Sequence, residues 1–158
     1  MKSIEVRSQA FEPGTPIPGR HTEDGEDVSP ELAWAGLPEG TAELALILDD
    51  PDAPTDKPWV HWVIYKIPPD IMALAEGVPY AEALAAPAGA LQGRNTWGTV
   101  GYRGPAPPKG HGTHRYFFKL YALDNALALE PGLNKVALLE AMDGHILGQG
   151  ELMGTYER

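Results

Sequence analysis

Three carboxylates stand close together where an apolar run of the sequence ends. Asp49 and Asp50 precede Pro51, and Asp52 and Pro54 follow it. Proline fixes its own φ angle and lacks an amide hydrogen, so this acidic segment resists extension into a regular strand. Carboxylates fixed in such a corner could orient a histidine or take part in acid–base chemistry. Taken alone, the segment is more typical of a solvated turn, because turns favour aspartate.

A histidine stands near the start of the segment with the strongest strand pattern. Residues 60–67 combine β-branched and aromatic side chains and end at two prolines, which predicts a strand. Alternation along this strand would place His61 on the face of Val63 and Tyr65, and Trp62 on the opposite face. A single histidine in a strand is usually a hydrogen-bonded core residue. We expect Trp62 to pack in the core rather than to stack on a ligand.

Residues 101–116 are rich in glycine and proline and lead into another predicted strand. The glycines would let backbone amides approach a ligand, and the two prolines at 107–108 would form a stiff wall. His114 and Tyr116 are two residues apart on the strand, so they should share a face. His111 and His114 together could suggest a metal site. Because the glycine-rich loop does not fix their spacing, we expect His111 to face solvent and no metal to be bound.

The composition excludes several mechanisms. The 158 residues contain no cysteine, which removes disulfides, thiolate metal sites and cysteine nucleophiles. The serines all lie in the N-terminal third, and none occupies a Gly-x-Ser-x-Gly motif. Neither a Walker-type phosphate loop nor a dinucleotide fingerprint occurs. The 12 basic and 22 acidic side chains give a net charge of −10 at pH 7, which disfavours binding to nucleic acid or to anionic membranes.

The elements that must position these side chains are mainly strands. With 18 glycines and 16 prolines the chain has many turns, which favours short strands over long helices. Hydrophobic patterning predicts strands at residues 4–8, 42–48, 60–67 and 114–123, and a terminal strand or irregular segment at 146–156. No repeat, linker or composition change divides the sequence, so we expect a single domain spanning residues 1–158.

One helix is predicted near the C-terminus. Asn134 can serve as its N-cap and Gly144 lies just past its end. The apolar side chains of this helix would share one face: Val136, Leu138, Leu139 and Met142. Residues 70–93 are rich in alanine but are interrupted by glycine and proline, so they accommodate at most one or two helical turns.

Seven ordered motifs span nearly the whole chain: Ser29-Pro30-x-Leu32-x-Trp34, Asp50-Pro51-Asp52-Ala53-Pro54, His61-Trp62, Gly93-Arg94-Asn95, Gly101-Tyr102-x-Gly104-Pro105-x-Pro107-Pro108-x-Gly110, His114-Arg115-Tyr116-x-Phe118-x-Leu120-Tyr121-Ala122-Leu123-Asp124 and Gly150-Glu151-Leu152-x-Gly154-Thr155-Tyr156. In this order they resemble the phosphatidylethanolamine-binding protein family, and most of all its bacterial and archaeal Raf kinase inhibitor-like branch. One departure is Thr96-Trp97-Gly98, where many prokaryotic relatives carry Asp-Phe-Gly. Trp97 could narrow the mouth of the pocket or change a partner surface.

The resemblance implies both a fold and a site. The fold is mainly β, with a large central sheet packed on a smaller sheet and short helices near the C-terminus. A small pocket at one end of the large sheet accepts anions such as phosphate or phosphoethanolamine head groups. The ligand-binding residues that the resemblance implies are Asp50, Asp52, His61, Pro107, Pro108, Gly110, His114 and Tyr116.

These residue types suit an anion, because a protein of charge −10 must supply its donors locally. His61 and His114 can donate from ring nitrogens, Tyr116 can donate from its hydroxyl, and amides near Gly110 can add further donors. Asp50 would act indirectly by fixing the tautomer and orientation of a histidine. Both histidines should change charge near neutrality, since an unperturbed imidazole has a pKa of about 6.5. Anions should then bind more tightly at lower pH.

The sequence therefore favours a non-enzymatic protein that binds a small anionic ligand and needs no cofactor. Eukaryotic members of the family bind kinases, so regulation of a partner protein is a further expectation. Two alternatives stay open: a hydrolase or other acid–base enzyme that uses the histidines and aspartates, and an interaction protein with a vestigial pocket.

We expect the protein to be cytoplasmic, because the residues after Met1 form no apolar signal sequence and no apolar run is long enough to span a membrane. A homodimer is also expected, in which an exposed tryptophan such as Trp97 would supply an apolar patch.

Overall fold

The computed structural model describes residues 2–158, in which nine strands surround two cores. The strands are β1 (Lys2–Ser3), β2 (Glu5–Arg7), β3 (Leu32–Ala35), β4 (Glu43–Asp50), β5 (Trp59–Ile67), β6 (Ala73–Leu74), β7 (Leu91–Gln92), β8 (His114–Leu123) and β9 (Ile146–Tyr156). One 3₁₀ turn spans Gly19–His21, and one α-helix, α1, spans Lys135–Met142. No helix in the described part of the chain is long and apolar enough to cross a membrane.

The strands form a large sheet and a small one. The large sheet has six strands in the order β1-β9-β8-β4-β5-β7, and the small sheet has three in the order β2-β3-β6. All pairs are antiparallel except β1 with β9. The predicted mainly β architecture is therefore confirmed, although residues 2–158 contain one α-helix near the C-terminus rather than several.

Strand β4 is central because both of its faces are covered. All eight of its residues are buried, so their alternation separates two cores rather than a core from solvent. Leu46 and Leu48 face the core between the two sheets, which also contains Trp34 and Phe118. Ile47 faces a second core on the opposite side of the sheet, beneath α1.

The acidic segment lies differently from the predicted solvated turn. Strand β4 extends two residues beyond the predicted end, so Asp49 and Asp50 occupy its last positions and are 0% and 3% exposed. Asp49 faces the second core, where it accepts from Lys135 Nζ at 2.5 Å and approaches Lys119 Nζ at 3.3 Å. These contacts offset the desolvation of a buried carboxylate and tie the start of α1 to the sheet.

Helix α1 begins and ends close to the predicted boundaries. Asn134 Oδ1 accepts a hydrogen bond from the Ala137 amide at 2.9 Å, which confirms its role as the N-cap. Leu138 and Met142 are buried, but Val136 is 54% exposed, so the predicted apolar face is wrong at that position. Residues 70–93 contain no helical turn and instead contribute β6 and β7.

A β-bulge at His61 changes the direction of the side chains at the start of β5. Leu48 pairs with Trp62 whereas Asp49 pairs with Val60, so His61 is an extra residue on its strand. The His61 ring lies 5.3 Å from the ring of Tyr116, on the side of the core between the sheets. The predicted alternation is therefore wrong, since His61 and Trp62 face one side and Val63 faces the other.

We expect Gly104→Ala to destabilise the fold by about 2 kcal/mol or more, as overpacking against rigid neighbours does. A Cβ at this position would collide with the His21 carbonyl oxygen and with the Asp27 carboxylate, which accepts from the Gly104 amide at 2.7 Å. Gly19→Ala is the control, because a Cβ there meets no heavy atom within 4 Å. Equal unfolding free energies of the two variants in urea would contradict this steric argument.

Candidate anion-binding cavity

A cavity of about 340 Å³ opens where β4 ends and where β5 and β8 begin. Its walls come from segments that are far apart in the sequence, including the 97–108 loop and the last residue of the chain. The lining residues are Glu23, Asp50, Ala53, Pro54, Thr55, Trp59, His61, Trp97, Ala106, Pro107, Pro108, His114, Tyr116 and Arg158. Six of the eight residues predicted from sequence are in this set, since Asp52 and Gly110 are absent from it.

Asp50 and His114 form a buried pair on the cavity wall. His114 Nδ1 lies 2.7 Å from Asp50 Oδ2, and the exposures of the two residues are 1% and 3%. The second carboxylate oxygen accepts from the Asp52 amide at 2.7 Å. A carboxylate can only accept, so Nδ1 of His114 carries the proton and Nε2 is the remaining nitrogen for other partners. Asp50 therefore has the orienting geometry that the sequence analysis expected.

His61 is held in one tautomer by a backbone carbonyl. Its Nδ1 donates to the Arg103 carbonyl oxygen at 2.6 Å, and Nε2 has no hydrogen-bond partner within residues 2–158. Burial lowers the pKa of His61 to about 4, an effect that this carbonyl only partly offsets. The expectation that His61 changes charge near neutrality is therefore wrong. At neutral pH the ring offers the cavity an acceptor at Nε2 rather than a donor.

Tyr116 supplies a hydroxyl without a partner. The side chain is fully buried, and its oxygen lies near the Asp50 carboxylate without making a hydrogen bond of good geometry to any residue in the described chain. Burial, followed by the nearby Asp50 carboxylate, raises the pKa of this hydroxyl well above its usual value, so it stays protonated. A buried hydroxyl normally has a partner, and this one lines a cavity that could hold it.

Aromatic side chains form another part of the wall. The ring of Trp97 meets the ring of His61 edge-on at 5.1 Å and that of Trp59 at 5.4 Å. The Arg103 guanidinium lies over Trp97 at 4.4 Å from the ring centroid. Trp97 thus lines the cavity. Because it is half-buried by these contacts, it offers less apolar surface to a second copy than the dimer prediction assumed.

Two residues of the predicted set act elsewhere. Asp52 accepts from the backbone and the guanidinium of Arg115 at 2.8–2.9 Å, which fixes the acidic corner against β8. The Gly110 amide donates to the Arg158 carbonyl at 3.2 Å, so it is not a free donor. Arg158 itself was not predicted. It lines the cavity and forms an ion pair with Asp24 at 2.8 Å, a contact between distant positions that no local motif predicts.

The His111 and His114 pair does come together, with His111 Nδ1 at 2.6 Å from His114 Nε2. His111 is exposed, as predicted. Within residues 2–158 no group of three histidine, aspartate or glutamate side chains is arranged to hold one metal ion. The contact between the two imidazoles is a hydrogen bond.

Comparison with known proteins agrees with this fold. The family model of phosphatidylethanolamine-binding protein matches residues 7–157. A UPF0098 protein of Methanothermobacter thermautotrophicus is 54% identical over 155 residues, which cover 98% of this chain and 99% of that protein. A UPF0098 protein of Aquifex aeolicus is 45% identical over 98% of this chain and 89% of its own length.

Two solved structures superpose along nearly the full length of this protein. Escherichia coli YbcL, described as a member of the mammalian PEBP family, has a TM-score of 0.92 at 31% identity and covers 99% of both chains. The PEBP homologue CT736 of Chlamydia trachomatis has a TM-score of 0.88 at 43% identity, with 99% of this chain and 98% of its own covered. The two packed sheets are thus those of a PEBP-type fold. The chain belongs to the phosphatidylethanolamine-binding protein family.

Because His61 is buried and neutral, we expect the free energy of unfolding to fall in acid. Its folded pKa is about 4 and its ordinary pKa is 6.5, so the unfolded chain binds the extra proton first as pH falls through that window. We expect acidification from pH 7 to pH 4.5 to cost the wild type about 2 kcal/mol more than His61→Asn, which lacks the titrating ring. Urea unfolding at both pH values measures the difference. Equal acid losses in the two proteins would show that His61 is not held neutral.

Proposed function

We propose that the cavity binds a small oxyanion, such as phosphate or a phosphorylated head group, and that the protein acts as a ligand-binding protein rather than as an enzyme. The observation that carries the proposal is the buried Tyr116 hydroxyl, which lines the cavity and has no partner among residues 2–158. A small anion beside His114 would supply the missing acceptor. Family membership supports the same proposal, because the family is named after a ligand that contains phosphate, phosphatidylethanolamine.

The charges around the cavity favour an anion that brings its own proton. Glu23 and Asp50 are acidic lining residues, and Arg158, the basic one, is already paired with Asp24. Among residues 2–158, this wall therefore offers no unpaired cation to neutralise a dianion. A hydrogen bond from Tyr116 would hold one ligand oxygen, and neutral His61 would accept a hydrogen bond from a protonated oxygen. Hydrogen phosphate and dihydrogen phosphate both have such an oxygen.

Tyr116→Phe should weaken phosphate binding roughly tenfold or more, since a hydrogen bond to a charged ligand contributes about 1.5–3 kcal/mol. Isothermal titration calorimetry with inorganic phosphate measures this change. Tyr121→Phe is a matched control on the same strand, because Tyr121 packs in the other core and does not line the cavity. Unchanged affinity in Tyr116→Phe would remove this hydroxyl from the site, and absence of phosphate binding in the wild type would defeat the proposal.

The acceptor at His61 predicts discrimination between two tetrahedral anions. Sulfate carries no proton at pH 7, so its oxygens would face the His61 lone pair without a hydrogen bond, whereas phosphate can donate one. A site built to form a hydrogen bond rejects a ligand that cannot form it. We expect wild-type protein to bind phosphate at least about tenfold more tightly than sulfate.

The same ratio should approach one in His61→Leu. Because both anions are measured on the same variant, a general loosening of the cavity affects both alike. Equal affinities for phosphate and sulfate in the wild type would contradict an acceptor role for His61, whether or not the variant folds.

The buried Asp50–His114 pair is the single observation that favours an acid–base enzyme instead. The serines do not line the cavity: Ser8 and Ser29 form hydrogen bonds elsewhere, to Glu31 and Val78. Turnover of p-nitrophenyl phosphate or p-nitrophenyl acetate that disappears in His114→Ala would support the enzyme. Stoichiometric binding without turnover would support the ligand-binding protein.

A further inference from the structure

His111 occupies the one nitrogen of His114 that could serve a ligand. His114 Nδ1 is used by Asp50 at 2.7 Å, and His114 Nε2 lies 2.6 Å from His111 Nδ1. Because Nδ1 carries the proton of the His114 ring, Nε2 is an acceptor and His111 Nδ1–H donates to it. A protonated oxygen of the ligand would need the same lone pair of His114, and one lone pair cannot serve two donors well. His111 and the anion therefore compete for the same atom.

We propose that His111 is an internal competitor of the anion site, and that a ligand binds to His114 only after the His111 side chain leaves Nε2. This inference rests on the proposed function. It assigns to His111 a role that neither its exposure nor its loop position suggests, since an exposed loop histidine is ordinarily expected to contact solvent alone.

The loop around His111 permits this displacement without a change in the fold. Gly110 and Gly112 flank it with φ angles of +75° and +98°, in a region that glycine adopts readily. A Cβ built on either glycine meets no heavy atom within 4 Å, so the loop has open space around it. Hydrogen bonds hold the loop on both sides of His111. The Gly110 amide donates to the Arg158 carbonyl oxygen, and the Thr113 hydroxyl donates to the Glu157 carboxylate at 2.7 Å. Rotation of the exposed His111 side chain is therefore sufficient.

A competitor of this kind lowers every affinity by the same factor. The apparent dissociation constant equals the intrinsic one divided by the fraction of molecules in which His111 has moved away. A single net hydrogen bond sets that factor at roughly two- to tenfold. A residue that contacts the ligand would instead change the affinities of different ligands by different factors.

The test compares inorganic phosphate and phosphoethanolamine by calorimetry in the wild type and in His111→Ala. We expect the variant to bind both probes more tightly, by roughly two- to tenfold and by equal factors within about twofold. His145→Ala is the matched control, because His145 is another accessible histidine with a side-chain partner, Asp124 at 2.9 Å, outside the cavity. Its affinities should equal those of the wild type. Unchanged or weaker binding in His111→Ala would overturn the competitor role, and weaker binding would make His111 a ligand contact.

Failure of this inference is distinguishable from failure of the proposed function. If the wild type binds phosphate and His111→Ala binds it no more tightly, only the competitor role fails. If neither protein binds either probe, both proposals fail. Ring-nitrogen NMR provides a second measurement, because saturating phosphate should shift the His111 signals of the wild type to those of a solvated imidazole. Unshifted His111 signals in the phosphate complex would also overturn the inference.

Discussion

The hydrogen bond between Asp50 and His114 joins the last residue of one central strand to the first residue of the next. It lies at the open end of the large sheet, where β4 and β8 have already paired over seven residues. Both groups are almost fully buried, so each supplies a partner for one buried polar atom of the other. Asp50 also accepts from the Asp52 amide, which starts the turn that Asp52 and Arg115 then fix against β8. The acidic corner is therefore built outward from this bond.

The bulge in β5 is the second constraint on the cavity. A regular strand would direct His61 toward the core beneath α1, away from His114 and Tyr116. One extra residue places the His61 ring on their side, and the Arg103 carbonyl then fixes which nitrogen carries the proton. That carbonyl is positioned by a loop in which Gly104 packs against His21 and Asp27. A backbone irregularity and a glycine contact thus determine whether His61 offers a donor or an acceptor.

Local patterns predicted much of the fold, and the reasons for the misses are physical. The strand 114–123 and the Asn134 cap were predicted correctly, because β-branched and aromatic runs and N-cap chemistry act over a few residues. The extension of β4 to Asp50 was missed, since aspartate favours turns unless distant lysines and a histidine compensate its burial. The bulge at His61 was missed because it depends on the register with β4, which no property of β5 alone reveals. Six cavity residues were predicted from the family resemblance. Arg158 was missed, because its contact with Asp24 joins positions 134 residues apart.

The same features bear on how a protein of charge −10 would bind the proposed anion, since among residues 2–158 the cavity wall has no free cation. Arg158 is paired with Asp24, and Glu23 and Asp50 are acidic, so charge neutralisation is a weak basis for affinity here. The remaining groups are neutral and directional: a protonated tyrosine hydroxyl, a neutral histidine acceptor and a histidine whose orientation Asp50 fixes. Directional groups discriminate by where a ligand carries its protons rather than by how much charge it carries. On this reasoning the neutrality of His61, which burial imposes, is what gives the proposed site its selectivity.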